Sequence, residues 1–218
     1  MTLNVSGGIA GGDVLDAAFA VGPGARATIA SQAAERFYRA APGSAASCVG
    51  TRIAVSAGGD AEWLPQETIL FNRCDVQRRL SVELSADARF LGVESLVFGR
   101  RAMGEVVQHA SLRDLFEVRR DGRLLLHDTI RMAGEIDALL QRTPIAAGAR
   151  AVATVVCIAE DAERLLGPLR ELPLGTSAWD GMLIARVLAP DAAALRTVVV
   201  KALQVLRRGR PLPRVWSC

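Results

Sequence analysis

The sequence predicts a mainly β protein with two α-helices in its last third. Three observations carry that reading. Short runs of alternating apolar and polar residues recur about every 8–12 residues, the spacing of strands in all-β folds. Glycine, proline and Asp-Gly turns separate them. After Thr143-Pro144 the pattern changes to a β-α-β-β-α outline.

Asn4 to Asp13 opens the chain with paired glycines, which suit positive φ angles or a close backbone approach. No Gly-Lys-Ser/Thr follows, and what comes next alternates like a strand, so a phosphate loop is set aside. Leu15, Ala17, Phe19 and Val21 form one face of that strand. Gly22-Pro23-Gly24 has the chemistry of a tight turn, and Ala25 to Ala30 reads as a returning strand, so Asp13 to Ala30 is expected to be a hairpin. Ser31 to Arg39 fits either a helical turn or an extended loop. Ala40 to Ser47 reads as a mobile loop, and Cys48 is expected to lie in a loop.

Arg52 to Ala57 alternates as a strand and leads through Gly58-Gly59-Asp60 into Glu62-Trp63-Leu64-Pro65-Gln66-Glu67-Thr68-Ile69-Leu70-Phe71. Read with period two, Trp63, Pro65, Glu67, Ile69 and Phe71 share a face. Proline inside a strand marks an edge or a bulge, and a bulge at Pro65 moves Glu67 to the other face. Trp63, Ile69 and Phe71 are expected to pack, with Glu67 a buried structural carboxylate. Leu80, Val82 and Leu84 mark a half-buried strand, and Phe90 to Phe98 an apolar one holding Glu94. Gly99 to Glu105 is a loop. Leu112 to Arg119 and Leu124 to Met132 flank Asp121-Gly122, the strongest hairpin signal in the chain.

Beyond Thr143, Ala151 to Ala159 is a continuous apolar strand and Asp161 opens a short helix. Met182 to Leu188 is a further strand. Asp191 caps a helix running to Arg208, with Leu195, Val198, Val199, Ala202, Val205 and Leu206 as its apolar stripe and Arg207-Arg208 suiting its C-terminal dipole. The organisation expected is a β-rich region over 1–142 and a C-terminal α/β region over 143–218, packed as one continuous domain.

Composition narrows the function. Of 26 basic residues only Lys201 is lysine, and the formal charge is +3, with no basic run interleaved with aromatics, which argues against nucleic acid. The mean hydropathy is +0.25, yet no apolar run approaches the ~20 residues of a membrane span. No signal-peptide pattern opens the chain, so a cytoplasmic protein with reduced thiols is expected. Cys48, Cys74, Cys157 and Cys218 form no CxxC pair. His109 and His127 stand apart and read as structural or solvated. No Gly-x-Ser-x-Gly elbow is present. Asp13, Glu67, Glu94 and Glu117 stand among apolar residues or glycines, where a charge needs an arginine partner or serves as an oxygen-ligand surface for a divalent cation.

The motifs, in order, resemble those of the urease accessory protein UreD (UreH) family. Gly7-Gly8 and Gly11-Gly12-Asp13 resemble its GG-x-x-GGD. Gly22-Pro23-Gly24-Ala25 with Ser31-Gln32-Ala33-Ala34 and Phe37-Tyr38-Arg39 resembles GPGA…TQAA…Y-R, and Glu62 to Phe71 resembles EWLPQE-x-I-x-F. Phe90 to Glu94, Phe98-Gly99-Arg100 and Gly104-Glu105 resemble F-x-x-W-[ED]…LGR…GE, with Val93 in place of the tryptophan. Pro213-Arg214-Val215-Trp216 resembles the P-R-[IV]-W ending. Family members carry a further stretch ahead of the glycine motif, whereas Met1 here stands almost at it; a misassigned start codon, a trimmed chain, or a natural short form that lacks strands and exposes an edge each accounts for that.

The resemblance implies a stacked or helical β-sheet scaffold with two helices, and a non-enzymatic role. It implies binding of the accessory protein UreF, recruitment of the UreG GTPase through UreF, and assistance of nickel insertion into apo-urease. No tightly bound cofactor is expected, only transient nickel, with Asp13, Glu94 and Glu117 as candidates for its route. The alternatives are a β-rich metal-dependent hydrolase using buried carboxylates, or an interaction module without nickel function.

Overall fold

In a computed structural model, which describes residues 4, 7–100 and 103–216, the β pattern resolves into two stacked sheets. The first sheet is ordered β1 (Val14–Val21), β4 (Ser47–Val55), β7 (Asp75–Leu84), β9 (His109–Arg120) and β10 (Arg123–Glu135). The second is ordered β12 (Gly175–Trp179), β13 (Met182–Ala189), β11 (Ala151–Ile158), β8 (Arg89–Phe98), β5 (Asp60–Trp63) and β2 (Arg26–Ile29). Beside β8 also lies β6 (Thr68–Leu70), which carries β3 (Glu35–Phe37) on its far side.

The chain alternates between the sheets as it winds from β1 to β9. Equivalent strands stack in parallel, as in the register row Val14, Cys48, Gln77 and Arg113. This is a coil of rungs with no matching sequence repeat, since each rung needs only apolar residues at the inward positions. Strand β1 is the outer strand of the first sheet among the described residues.

The Asp13 to Ala30 hairpin does not form. The turn itself is present, with Ala25 N–H donating to the Gly22 carbonyl at 3.1 Å and Gly24 at φ +64°. It turns a corner between sheets: β1 pairs in parallel with β4, and β2 in parallel with β5. Alternation and turn chemistry are the same for a corner and a reversal, so the sequence does not separate them. By contrast, β9 and β10 form the expected antiparallel hairpin, with Asp121 and Gly122 at φ +48° and +75°. The ambiguous Ser31 to Arg39 is extended and holds β3. Cys48 lies in β4, not in a loop.

The β-α-β-β-α outline is borne out as β11, α2 (Leu166–Arg170), β12, β13 and α3 (Ala192–Leu206), preceded by a short helix α1 (Ile136–Gln141). Every residue of β11 is buried, because sheet neighbours flank it and α3 covers one face. Helix α3 buries Leu195, Val199, Ala202, Leu203 and Leu206, while Val198 and Val205 pack at its flanks. The Asp191 side chain accepts from Ala194 N–H at 2.9 Å, the expected N-cap. Asp191→Ala is expected to cost about 1 kcal/mol, read as a lower urea midpoint at unchanged slope.

Apolar side chains between the sheets gather around Trp63, Phe90 and Phe116 at one end and Phe37, Leu70 and Phe98 at the other. On the far face of the second sheet, Leu64, Val93, Val155 and α3 form a third cluster. The result is three layers: sheet, sheet and helices.

Candidate functional site: carboxylates around an interrupted strand

The Glu62 to Phe71 stretch is an interrupted strand, and Pro65 marks the break. Pairing with β8 passes from Trp63↔Gly92 to Thr68↔Leu96, so this chain spends one residue more than its partner. That is a bulge, and it slips the phase. Ala61 and Trp63 point between the sheets before it, and Thr68 and Leu70 do so after it. The fully buried carboxylate is therefore Glu62, at 0% exposure. Glu67, expected to be buried, is only half-buried, its nearest cation being Arg196 at 3.9 Å. Ile69 packs on the helix side and Phe71 is partly covered.

Glu62 faces the helices. Arg207 grips it with Nε at 2.9 Å and Nη2 at 3.0 Å, Arg210 Nη2 donates at 2.9 Å, and Thr28 Oγ1 at 2.5 Å. Burial pushes the Glu62 carboxyl up, but hydrogen bonds from Arg207 and Thr28 and the charges of Arg207 and Arg210 outweigh it, holding the group below its usual 4.5. Arg207 and Arg208, expected to serve the α3 dipole, instead bind Glu62 and Asp161.

One residue on, Trp63 faces the other way. Its indole N–H donates to Glu94 Oε1 at 2.6 Å, and Arg78 Nη1 holds Glu94 Oε2 at 2.8 Å. Arg78 also donates to Thr68 Oγ1 at 2.7 Å and forks onto Asp114 at 2.9 and 2.7 Å. Burial raises the Glu94 carboxyl, Asp114 adds to that, and Arg78 and the indole only partly offset it. Burial disfavours the Arg78 charge, yet Asp114 and Glu94 hold its proton more firmly than water does. Trp63, Thr68, Arg78 and Glu94 line a cavity of about 680 Å³ between the sheets, with Phe19, Phe37 and Leu80 as apolar wall.

The other candidates lie elsewhere. Glu117 stands on the outer face of the first sheet, with Arg119 Nε at 3.1 Å, Arg79 Nη2 at 3.3 Å and His127 Nδ1 at 3.2 Å. Burial acts to raise its carboxyl, and the Arg119 and His127 hydrogen bonds outweigh that, lowering it. Arg78 and Arg79 are adjacent on β7, so Glu94, reaching across from β8 of the second sheet, and Glu117 lie on opposite sides of the first sheet. Asp13 is exposed and accepts from Ala10 N–H at 2.8 Å, closing its own turn. The three carboxylates are not brought together. Among the described residues no three His, Cys, Asp or Glu side chains stand close enough to share a metal ion. Burial raises the Cys74 and Cys157 thiols to about 12, so both behave as small apolar residues. Cys218 lies outside the described residues, as does part of the Gly99 to Glu105 loop.

Sequence reasoning missed the partner of the interrupted strand, which is the other end of the chain. Trp216 Nε1–H donates to the Leu64 carbonyl at 3.0 Å, and Gln66 Nε2 donates to the Val215 carbonyl at 3.2 Å. Arg196 joins the two, donating to Gln66 Oε1 at 2.6 Å and to the Trp216 carbonyl at 2.9 Å, with its guanidinium 5.1 Å from the Trp216 ring centroid. Only a density of unusual residues at both places hinted at this clasp.

Coiled parallel rungs and a helix layer define a protein of the coiled-sheet class, with arginine-paired carboxylates in its layers. The whole-chain comparisons give that class a family. Residues 1–217 match the family described as UreD urease accessory protein. A protein named urease accessory protein UreD from Rhizobium leguminosarum bv. viciae is 40% identical over 99% of this chain and 80% of its own length. Its counterpart from Xanthobacter autotrophicus is 43% identical over 99% and 75%. Urease accessory protein UreD 3 of Methylorubrum extorquens is 42% identical over 99% and 74%. The chain belongs to the UreD urease accessory protein family. These relatives are accessory proteins rather than enzymes by name. Among the described residues no helix is long and apolar enough to cross a membrane.

Proposed function

We propose that this chain is a urease maturation factor: a non-enzymatic cytoplasmic scaffold that binds UreF, recruits the UreG GTPase through it, and assists nickel insertion into apo-urease. The observation that carries this reading is family membership over residues 1–217. The internal pairing of the fully buried Glu62 with Arg207 supports the scaffold role, because that carboxylate is committed to holding a shape.

Nickel is the cargo, and its contact with the chain is transient. The proposed route passes Asp13, Glu94 and Glu117 as separate stations, with Glu94 at the wall of the cavity. Oxygen donors alone favour hard cations over nickel, which suits passage rather than capture.

The test is reconstitution. Apo-urease, UreF, UreG, GTP and nickel are mixed with and without the purified chain, and urease activity is read. The chain is expected to raise the activated fraction, and Glu94→Gln to reduce that gain while leaving UreF binding intact. Equal activation with and without the chain contradicts the proposal, and full activity in Glu94→Gln removes that residue from the route.

A further inference from the structure

The two sheets do not end together. Asp128 of β10, the last strand of the first sheet, meets Thr154 of β11 at 3.4 Å and Arg186 of β13 at 2.7 Å. Strand β10 therefore lies over the seam between β11 and β13, and β12 continues the second sheet with no strand above it among the described residues. Trp179 of β12 pairs with Met182, which is buried between the sheets, so alternation turns Trp179 and Ser177 toward the first sheet. They meet no cover there. Trp179 is 45% exposed, and Leu188, on the same face of β13, is 48% exposed. With Ile184 between them they form an apolar ledge, about 20 Å long from Met182 to Leu188 at ~3.3 Å per residue.

The wall beside this ledge is a free strand edge. Strand β10 spans 13 residues and pairs only with β9, so every second residue turns its N–H and C=O away from the sheet. Folded proteins blunt such edges with proline, bulges or inward charges. Here the one bulge lies at the start, around Leu125, and the inward Asp128 is neutralised by Arg186. From Leu126 to Glu135 the ladder is regular and free of proline.

Two cations stand at the Trp179 end. Arg120 and Arg123 face one another across the end of the β9–β10 hairpin. Arg120 lies beside Gly181, where a Cβ would stand 4.0 Å from its Nη1. Its Nε is buried without a hydrogen-bond partner, and neither arginine has an ion pair among the described residues.

Backbone edge, apolar floor and unpaired cations together define an occupant. We propose that this slot docks an extended segment of a partner protein, which joins the 5-stranded first sheet antiparallel to β10. Its alternate side chains are apolar and rest over Trp179, Ile184 and Leu188, and its C-terminal end carries carboxylates that meet Arg120 and Arg123. Backbone hydrogen bonds supply affinity in such strand addition, while the floor and the cations supply register. A second copy of this chain does not fit through antiparallel pairing of its own β10, because the two ledges would then occupy the same space. The slot takes a single strand. It lies apart from the Glu62 and Glu94 clusters and does not depend on the functional reading above.

The test titrates a fluorescein-labelled synthetic peptide of alternating threonine and valine ending in two aspartates, about eight residues long to span the ledge, into the full chain. Fluorescence polarisation reads binding, and hydrogen exchange reads the β10 amides. The wild type is expected to bind saturably and to slow exchange between Leu126 and Glu135. Arg123→Glu, Arg120→Glu/Arg123→Glu and Trp179→Asp are each expected to weaken binding by about tenfold or more. Arg123 is exposed, so that variant should keep the wild-type urea midpoint. Lys201→Gln, exposed on α3, is the control and should bind within about twofold of wild type. A peptide ending in two lysines is expected to reverse the preference, binding the double arginine variant more tightly than the wild type. No saturable binding by the wild type, unchanged β10 exchange at saturation, or equal wild-type affinity for the two peptides overturns the site.

Discussion

Replacing Glu62 with alanine is expected to lower the unfolding free energy by about 3–5 kcal/mol, because it strands a buried charge. Arg207 is only 6% exposed and spends two donors on that carboxylate. Arg210 and Thr28 lose their partner at the same moment. Urea unfolding followed by tryptophan fluorescence reads the loss. The double variant Glu62→Ala/Arg207→Ala is expected to recover part of it, since no charge is then left unpaired. A loss under about 1 kcal/mol would mean that the pair behaves like an exposed one.

The same carboxylate gives a pH signature. Its folded value is held below 4.5, so its contribution is present above 4.5 and lost as pH falls through the lower folded value. The stability gap between wild type and Glu62→Gln should therefore shrink between about pH 5 and pH 3. Glu94 acts in the opposite sense. Its folded value is raised, so its contribution is present at low pH and lost as pH rises through that value. Comparing each variant with wild type separates the two.

Arg78→Ala is the second large effect, again about 3–5 kcal/mol, with the signs reversed. Here two carboxylates, Glu94 and Asp114, are left facing one another without the guanidinium between them. Adding Glu94→Gln to Arg78→Ala is expected to restore stability, because it removes half of the stranded charge. Tryptophan emission offers a second readout, since the Trp63 indole donates directly to Glu94. An Arg78→Ala protein as stable as wild type would show that water already screens this cluster.

Where a local rule decides the structure, the sequence was a sound guide. Asp121-Gly122 needs two positive φ angles, and only a tight hairpin uses them that way. Asp191 ahead of an apolar stripe marks a helix start, and the unbroken apolar run of β11 marks a strand covered on both faces. Parallel pairing was not legible, because β1 and β4 meet across the whole intervening rung and nothing in either strand names its neighbour.

The site shows the same division. Glu94 stood out as a charge in an apolar run, while its partner Arg78 was one arginine among many. Pro65 announced a bulge but not how many residues it would absorb, and that count moved burial from Glu67 to Glu62. The clasp between Leu64-Pro65-Gln66 and Val215-Trp216 joins the middle of the chain to its end through backbone carbonyls, which every residue possesses. No side-chain pattern encodes such a contact.

The most direct test of the account is urease activation in cells. The chain is co-expressed with the urease structural genes and the remaining accessory genes, in a strain whose own UreD gene is deleted, with nickel in the medium. The account predicts that urease activity rises well above the deletion strain and that UreF co-purifies with the chain. Activity no higher than in the deletion strain, with the chain present and folded and no UreF retained, would contradict it.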